Sequence, residues 1–291
     1  MTTQIFETHR ARLFALAYKL LGSRSDAEDV VQDAWLRWSQ ADHDSIRDPE
    51  AWLVTATTRL GIDRLRQARH ERATYPGPWL PEPLQVDTAP PSGRDPEQHA
   101  DLAGQVSLAF LALLERLGPE ERAAFLLKEA FDYDYAQIAP LLGHSEANCR
   151  QMVHRARSRL QAGRPRFEVT RDRHRELLER FMHASQSGDK AAITQLLTAN
   201  ARLVSDGGGK VTAVIRPLLG AERIARLYWA VARRIGSTTQ ARIGTANGEP
   251  ALLRWHRGRL HSITTISVDG DRISEVLTVM NPDKLRRWQH G

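Results

Sequence analysis

Seven of the chain's 14 prolines stand between positions 76 and 96, at 76, 78, 81, 83, 90, 91 and 96. Proline lacks an amide hydrogen and fixes φ, so no helix or central strand can run through this stretch. The chain is thereby cut in two, and the piece between is expected to be an extended connector. A passive spacer has the same composition. Yet GPWLPEPL carries Trp79 and Leu80, bulky apolar residues that an idle connector has little reason to expose. A proline-stiffened segment also loses little entropy on docking. The spacing therefore predicts that WLPEP, from Trp79 and Leu80 through Pro81, Glu82 and Pro83, binds something.

Before the connector the hydrophobic period is helical. Phe6, Leu13, Phe14, Ala17, Leu20 and Leu21 repeat along one face, and Gly22 follows as a C-cap glycine does. A second helix is predicted from Ser25, with Ser25 and Glu28 as a capping box and Ala27, Val31, Ala34, Trp35 and Trp38 as its stripe. Its other face gathers Asp26, Asp29, Gln32 and Asp33 around Leu36, a pattern that suits a basic protein partner gripping one apolar anchor. A merely solvated acidic face looks the same, and aspartates near a helix N-terminus are favoured by the dipole alone. A third helix opens at Asp48 and Pro49, with Leu53, Ala56 and Leu60 inward and Thr55, Thr58, Arg59, Ile62, Arg66 and Arg69 outward. Eight acidic residues lie between positions 26 and 50, whereas five arginines lie between 59 and 72. One block thus offers a face for a protein and a face for nucleic acid.

Past the connector, Leu102, Val106, Phe110, Leu113, Leu114 and Leu117 mark a helix broken at Gly118 and Pro119, and Glu120 and Glu121 start the next. From Tyr135 the chain reads as a helix to Leu142, a turn at Gly143, and a second helix N-capped by Ser145. Cys149, Met152, Val153, Ala156 and Leu160 share one face of that second helix. Ala147, Gln151, His154, Arg155 and Ser158 share the opposite one, with Arg150 and Arg157 on its flank. No acidic residue occurs between Ala147 and Phe167. This is the helix-turn-helix layout, whose second helix enters the major groove. An αα-hairpin with a solvated basic face shares the pattern.

A length of 291 residues leaves room for two or three domains, and the net charge of +6 leans toward polyanionic partners. The single cysteine, Cys149, excludes an intramolecular disulfide and reads as a small buried hydrophobe in a reducing cytoplasm. No stretch approaches the roughly 18 consecutive apolar residues of a membrane span.

DAEDVVQDAWLRW, DPEAWLVTATTRLGIDRLRQAR and the helix-turn-helix ending HRARSRL resemble, in order, the two conserved regions of extracytoplasmic-function sigma factors of bacterial RNA polymerase. The resemblance implies that Asp26, Asp29, Gln32, Asp33 and Leu36 dock on the polymerase, with its clamp helices and flap as the contacted parts. It implies that the loop from Ala41 to Arg47, with Arg59, Asp63, Arg66 and Arg69, melts the −10 promoter element and captures a flipped base. It further implies that Asn148, Arg150, Gln151, His154 and Arg155 contact the −35 element, where Arg suits guanine and Gln suits adenine. Two departures stand out: Arg59 where many members carry Asn, and Asp132 where the family often has Gly.

From about position 167 the period changes. Two helices, near Thr170 to Ser187 and Asp189 to Leu197, precede the strand-like ARLVSD. A helix from Ala221 to Ile235 then precedes alternating runs near Leu252 to His256, Leu260 to Val268 and Arg272 to Met280, with Asp269 and Gly270 as a hairpin turn. The expectation is an α+β domain, helices on a curved antiparallel sheet. It resembles SnoaL-like domains of the nuclear-transport-factor-two-like cone fold. WLPEP, DGGGK (Asp206, Gly207, Gly208, Gly209, Lys210) and NPDKL (Asn281, Pro282, Asp283, Lys284, Leu285) together resemble the signature of sigma factors with such a fused extension. That resemblance implies regulation in cis, the linker's Trp79 and Leu80 packing near DGGGK or NPDKL.

The expected chain is therefore multidomain: an all-α block at 1–75, a proline-rich linker at 76–96, a helix-turn-helix block at 97–163, and an α+β domain at 167–291. The expected function is promoter recognition and transcription initiation, with no catalysis, cofactor or metal. Core polymerase and promoter DNA are the expected partners, and a small-molecule ligand of the C-terminal domain is a further one. Two alternatives stay open. One is a ligand-sensing helix-turn-helix regulator, and the other a SnoaL-like enzyme fused to a DNA-binding module. For the latter Asp206, His256, His261 and Asp269 are available, although no pair has diagnostic spacing.

Overall fold

The computed structural model describes residues 2–85, 106–161, 170–235 and 239–290. Leu102, the last three linker prolines and the arginines at 164 and 166 lie outside the described residues. Contacts gather the described residues into two compact units, one of residues 2–73, 106 and 110–161 and another of residues 74–85, 107–109, 170–235 and 239–290. The described part of the connector is thus grouped with the C-terminal residues.

In the first unit α1 (Thr2–Leu21), α2 (Arg24–Ser39) and α3 (Pro49–Ala73) pack around Leu13, Leu16, Leu20, Ala34, Trp38, Leu53 and Leu65, all nearly inaccessible. Gly22 is left-handed at φ 66° and ends α1. That geometry leaves Ser23 extended, and its hydroxyl accepts the Asp26 amide, so α2 is capped by Ser23 rather than by the expected Ser25. Asp48 caps α3 through the Ala51 amide, as the Asp-Pro pair predicts. α4 (Leu108–Leu114), α5 (Pro119–Ala130), α6 (Tyr135–Leu142) and α7 (Glu146–Gln161) follow. α3 also packs on α5 and α6. For that reason Thr58 and Ile62, expected outward, are buried. Asp132 takes φ 57°. Glycine adopts that region without the steric cost a Cβ brings.

The second unit pairs α8 (Arg171–Ser187), α9 (Lys190–Leu196) and α10 (Ala221–Ile235) with six strands: β1 (Leu197–Asp206), β2 (Leu218–Leu219), β3 (Thr239–Ala246), β4 (Glu249–His256), β5 (Arg259–Asp269) and β6 (Arg272–Val279). A short helix, α11 (Pro282–Leu285), follows β6. The order is β2-β1-β6-β5-β4-β3, with every pair antiparallel except β1 with β6. The sheet is therefore mixed, not purely antiparallel. Residue alternation reports which side chains share a face and is silent on strand direction. One face, with Leu203, Leu252, Ile266 and Val276, packs on Leu177 and Phe181 of α8 and Ile224 and Tyr228 of α10. The alternate residues Val204, Leu253, Ile263, Leu277 and Val279 are buried as well. Leu80 and Leu84 of the connector, with Leu285 and Trp288, are buried too, and the C-terminal turns pack on β5. Consecutive buried residues in β1, β4, β5 and β6 fit a sheet covered on both sides there, whereas β3 buries only Ala246.

Candidate functional site

On α2, Asp29, Gln32, Asp33 and Leu36 stand exposed at spacings of one helical stripe, with Leu36 at 48 % accessibility. Asp26 differs from the expectation. Its carboxylate is 2.8 Å from Arg64 and only 15 % exposed, so it braces α2 against α3 instead of joining the outward patch.

The loop after α2 and the start of α3 line an open cleft of about 650 Å³, with Arg37, Ile46, Arg47, Trp52, Thr55 and Arg59 among the residues of its walls. Trp38 sits beneath it against His43 and Trp52, with ring centroids 4.3 and 5.4 Å away. Such a pocket, aromatic at its base and rimmed by arginines, has the chemistry for an unstacked base and its phosphate.

The remaining sites predicted on α3 are occupied within the unit. Arg59 donates to the Leu141 and Pro140 carbonyls at 3.2 and 3.3 Å. Arg66 bridges Asp63 and Glu120, and Arg69 donates to the Leu117 carbonyl. Arg72, which burial pulls below the ordinary arginine range, pairs with Glu115. Glu115 also meets Arg122, whose guanidinium is 1 % exposed and donates to the Lys19 carbonyl. The basic side of α3 is thus satisfied by the second helical block.

In the helix-turn-helix, Asp134 caps α6, Gly143 turns at φ 72°, and the Ser145 hydroxyl accepts the Asn148 amide. Cys149, Met152, Val153, Ala156 and Leu160 are buried, as their spacing predicts. Burial and then Glu146 push the Cys149 thiol up, which suits a packing role. Gln151 and His154 are exposed. Asn148 contacts His144 at 3.3 Å, and Arg150 pairs with Glu146 over the Tyr135 ring. Arg155 turns back to Glu121, which Arg159 also meets. Burial would raise the Glu121 carboxyl, yet the Arg155 and Gly118 hydrogen bonds and the Arg159 charge leave it lowered.

The connector motif meets both C-terminal motifs at one buried carboxylate. Asp206, 0 % exposed, ends β1. One of its oxygens accepts the Tyr75 hydroxyl at 2.5 Å and the Gly208 amide at 3.1 Å; the other accepts the Leu80 amide at 2.9 Å and the Lys284 ammonium at 2.7 Å. Lys284 also donates to the Leu80 carbonyl and lies 4.0 Å from the Trp79 ring centroid. Burial first, and the Asp206 hydrogen bond second, push the Tyr75 phenol up, so it stays the donor. Asn281 donates to the Tyr75 oxygen at 2.9 Å, and Lys210 pairs with Asp283 at 2.5 Å. The glycines are there for approach: at Gly208, φ 59°, a Cβ would strike Asn281, and at Gly209, φ 70°, it would lie 2.7 Å from Pro76. Further along, the Leu84 amide donates to the Asn247 side chain and Trp288 donates to the Pro83 carbonyl. Tyr75 and Trp288 carried no local motif, and Asn247 only the Asn-Gly pair it forms with Gly248. Asp206, considered above as a proton-transfer group, has both oxygens occupied and faces the connector.

Two helical blocks, an exposed acidic-apolar stripe on one and a helix-turn-helix on the other, define a sigma-70-type protein. The Sigma-70 region 2 model matches residues 5–71 and the Sigma-70, region 4 model matches residues 107–160. The chain belongs to the extracytoplasmic-function RNA polymerase sigma factor family. It is 35% identical over 294 residues to the ECF RNA polymerase sigma factor SigJ of Mycobacterium tuberculosis, covering 98% of this chain and 93% of that protein. It is 30% identical over 285 residues to the probable ECF RNA polymerase sigma factor SigI of the same species, covering 96% and 93%. The crystal structure of SigJ superposes with a TM-score of 0.77 at 32% identity, covering 98% of both chains. No helix among the described residues is long and apolar enough to cross a membrane.

Proposed function

We propose that this chain directs core RNA polymerase to promoters in the cytoplasm and that its C-terminal domain regulates it in cis. Asp29, Gln32, Asp33 and Leu36 are the polymerase contacts, on the clamp helices, with the flap meeting the second block. The Trp52–Arg59 cleft takes a flipped −10 base, and Asn148, Arg150, Gln151, His154 and Arg155 read the −35 element. For Arg59, Arg66, Arg69 and Arg155 this requires exchange of internal carboxylate and carbonyl partners for phosphates and bases. For Arg66 the exchange is cheap, because an exposed ion pair contributes only about 0–1 kcal/mol; Arg59 and Arg69 give up backbone carbonyls and Arg155 the largely shielded Glu121 carboxylate.

The regulatory reading is carried by one observation: the connector between the two DNA-reading blocks is bonded to the C-terminal domain through Asp206. Whatever alters that domain alters the length of connector free to span a promoter. The domain is also the place where a small-molecule ligand would act. The test is transcription in vitro with core polymerase. Start-site-specific transcripts are expected from the full chain, and their absence both from the full chain and from a chain ending before residue 165 would refute the reading. A stand-alone helix-turn-helix regulator would instead bind duplex DNA tightly without polymerase.

A further inference from the structure

Near the end of the β4–β5 hairpin a guanidinium and two imidazoles gather, and among the described residues no carboxylate pairs with them. Arg254 and His256 share one face of β4 by alternation. Arg254 pairs with Ser262 and Trp255 with Leu260, which leaves His261 as an extra residue in β5. Its ring centroid lies 6.3 Å from that of His256. The Arg254 guanidinium donates to the Ser185 hydroxyl of α8 at 2.5 Å and bonds the Tyr228 hydroxyl of α10, which in turn meets Thr278. Thr278 contacts Thr264 at 3.1 Å. A polar string thus crosses the otherwise apolar helix-facing side of the sheet.

A guanidinium has five N–H donors. Among the described residues Arg254 meets two hydroxyls and no carboxylate. Arg254 is half-buried, and drawing a cation even part of the way out of water without an anion is costly, so proteins ordinarily supply a pair. Burial pulls Arg254 below the usual arginine range, and burial, then His256 and Arg254, hold His261 below the usual histidine range. The buried Nδ1 of His256 has no hydrogen-bond partner among the described residues. An unpaired guanidinium and an orphaned imidazole nitrogen at one place are the protein half of an anion site.

We propose that Arg254, His256 and His261 bind the oxyanion group of a small molecule, while the Ser185 and Tyr228 hydroxyls, whose own protons are engaged by the Met182 carbonyl and by Thr278, hold the guanidinium in place. Arg254 is its fork-shaped counter-ion and the imidazoles supply further donors. The inference names the ligand class for the domain read above as regulatory and rests on that reading only for its biological consequence, since the binding itself is independent of it. The shared chemistry is a planar carboxylate or a tetrahedral phosphoryl group.

The test titrates the full chain with sodium benzoate or with sodium phosphate, against sodium chloride at equal ionic strength, by calorimetry and thermal unfolding. Saturable binding of one anion with a raised midpoint is expected. Benzoate alone points to a carboxylate ligand, and phosphate alone to a phosphoryl one. Arg254→Met should weaken the affinity about tenfold or more, the value of one charge-assisted hydrogen bond. Should that variant not fold, His256→Gln, at the outer end of the hairpin, is expected to weaken binding in the same direction. Neither anion binding, or equal affinity in wild type and a folded variant, would overturn the proposal. A chain that initiates transcription but binds neither anion loses this inference alone, whereas one that binds an anion and never initiates loses only the sigma reading.

Discussion

Distant parts of this chain are joined by polar contacts in two places, and they are built on opposite principles. Between α3 and the second helical block the outer ion pair is open to water, Arg66 and Glu120 being 53 % and 38 % exposed, while the inner pair, Arg72 and Glu115, is 14 % and 21 % exposed. Around Asp206 the carboxylate is sealed, with Lys284 11 % exposed beside it and each oxygen holding two donors. Exposed pairs can trade partners at little cost, while a buried and fully bonded carboxylate cannot lose one partner without stranding the others. The outer pair of the first junction can therefore open at little cost. The second fixes the connector to the C-terminal domain as part of the fold.

Replacing Asp206 by Ala leaves Lys284 buried without its anion and should destabilise the second unit by about 3–5 kcal/mol, read by denaturant unfolding. A loss below about 1 kcal/mol would place this junction in the same class as the exposed one. Tyr75→Phe deletes one charge-assisted bond and should cost about 1–3 kcal/mol, with faster hydrogen exchange at the Leu80 amide. The seam between α3 and α5 should behave otherwise. A double-mutant cycle on Arg66 and Glu120 is expected to give a coupling of about 0–1 kcal/mol that fades with salt.

Solution pH separates the units again. Burial raises the Glu249 carboxyl from 4.5 to about 7, so the folded protein holds this proton more tightly than the unfolded chain does. Stability should then fall as pH rises from about 4.5 to about 7 and level off above. Glu249→Gln should flatten that limb of a stability-versus-pH curve, and an unchanged slope would assign the effect elsewhere.

Local signals made most elements of both units legible. Helical stripes, the Asp48-Pro49 start and the Gly143 turn needed only neighbours a few residues away. Where the reading slipped, long-range packing or a competing local cap had decided. Ser23 outcompeted Ser25 because Gly22 set its backbone, and Thr58 and Ile62 were drawn inward by a block that follows them by more than 50 residues. β3 passed unnoticed although Asn247 and Gly248, at φ 53° and 74°, close its hairpin with β4; the Asn-Gly pair was a usable signal. The connector's partner motifs were legible only as a resemblance. Tyr75 and Trp288 were beyond reach, since they act through hydrogen bonds that span more than 130 residues.

Control of initiation by the Asp206 junction is open to direct measurement. The direct measurement is the yield of start-site-specific transcript from core polymerase with the wild-type chain and with Tyr75→Phe, at equal concentrations of folded protein. A several-fold change in yield, with the start site and the unfolding cooperativity unchanged, is the predicted result. Identical yields, despite faster exchange at the Leu80 amide, would contradict it.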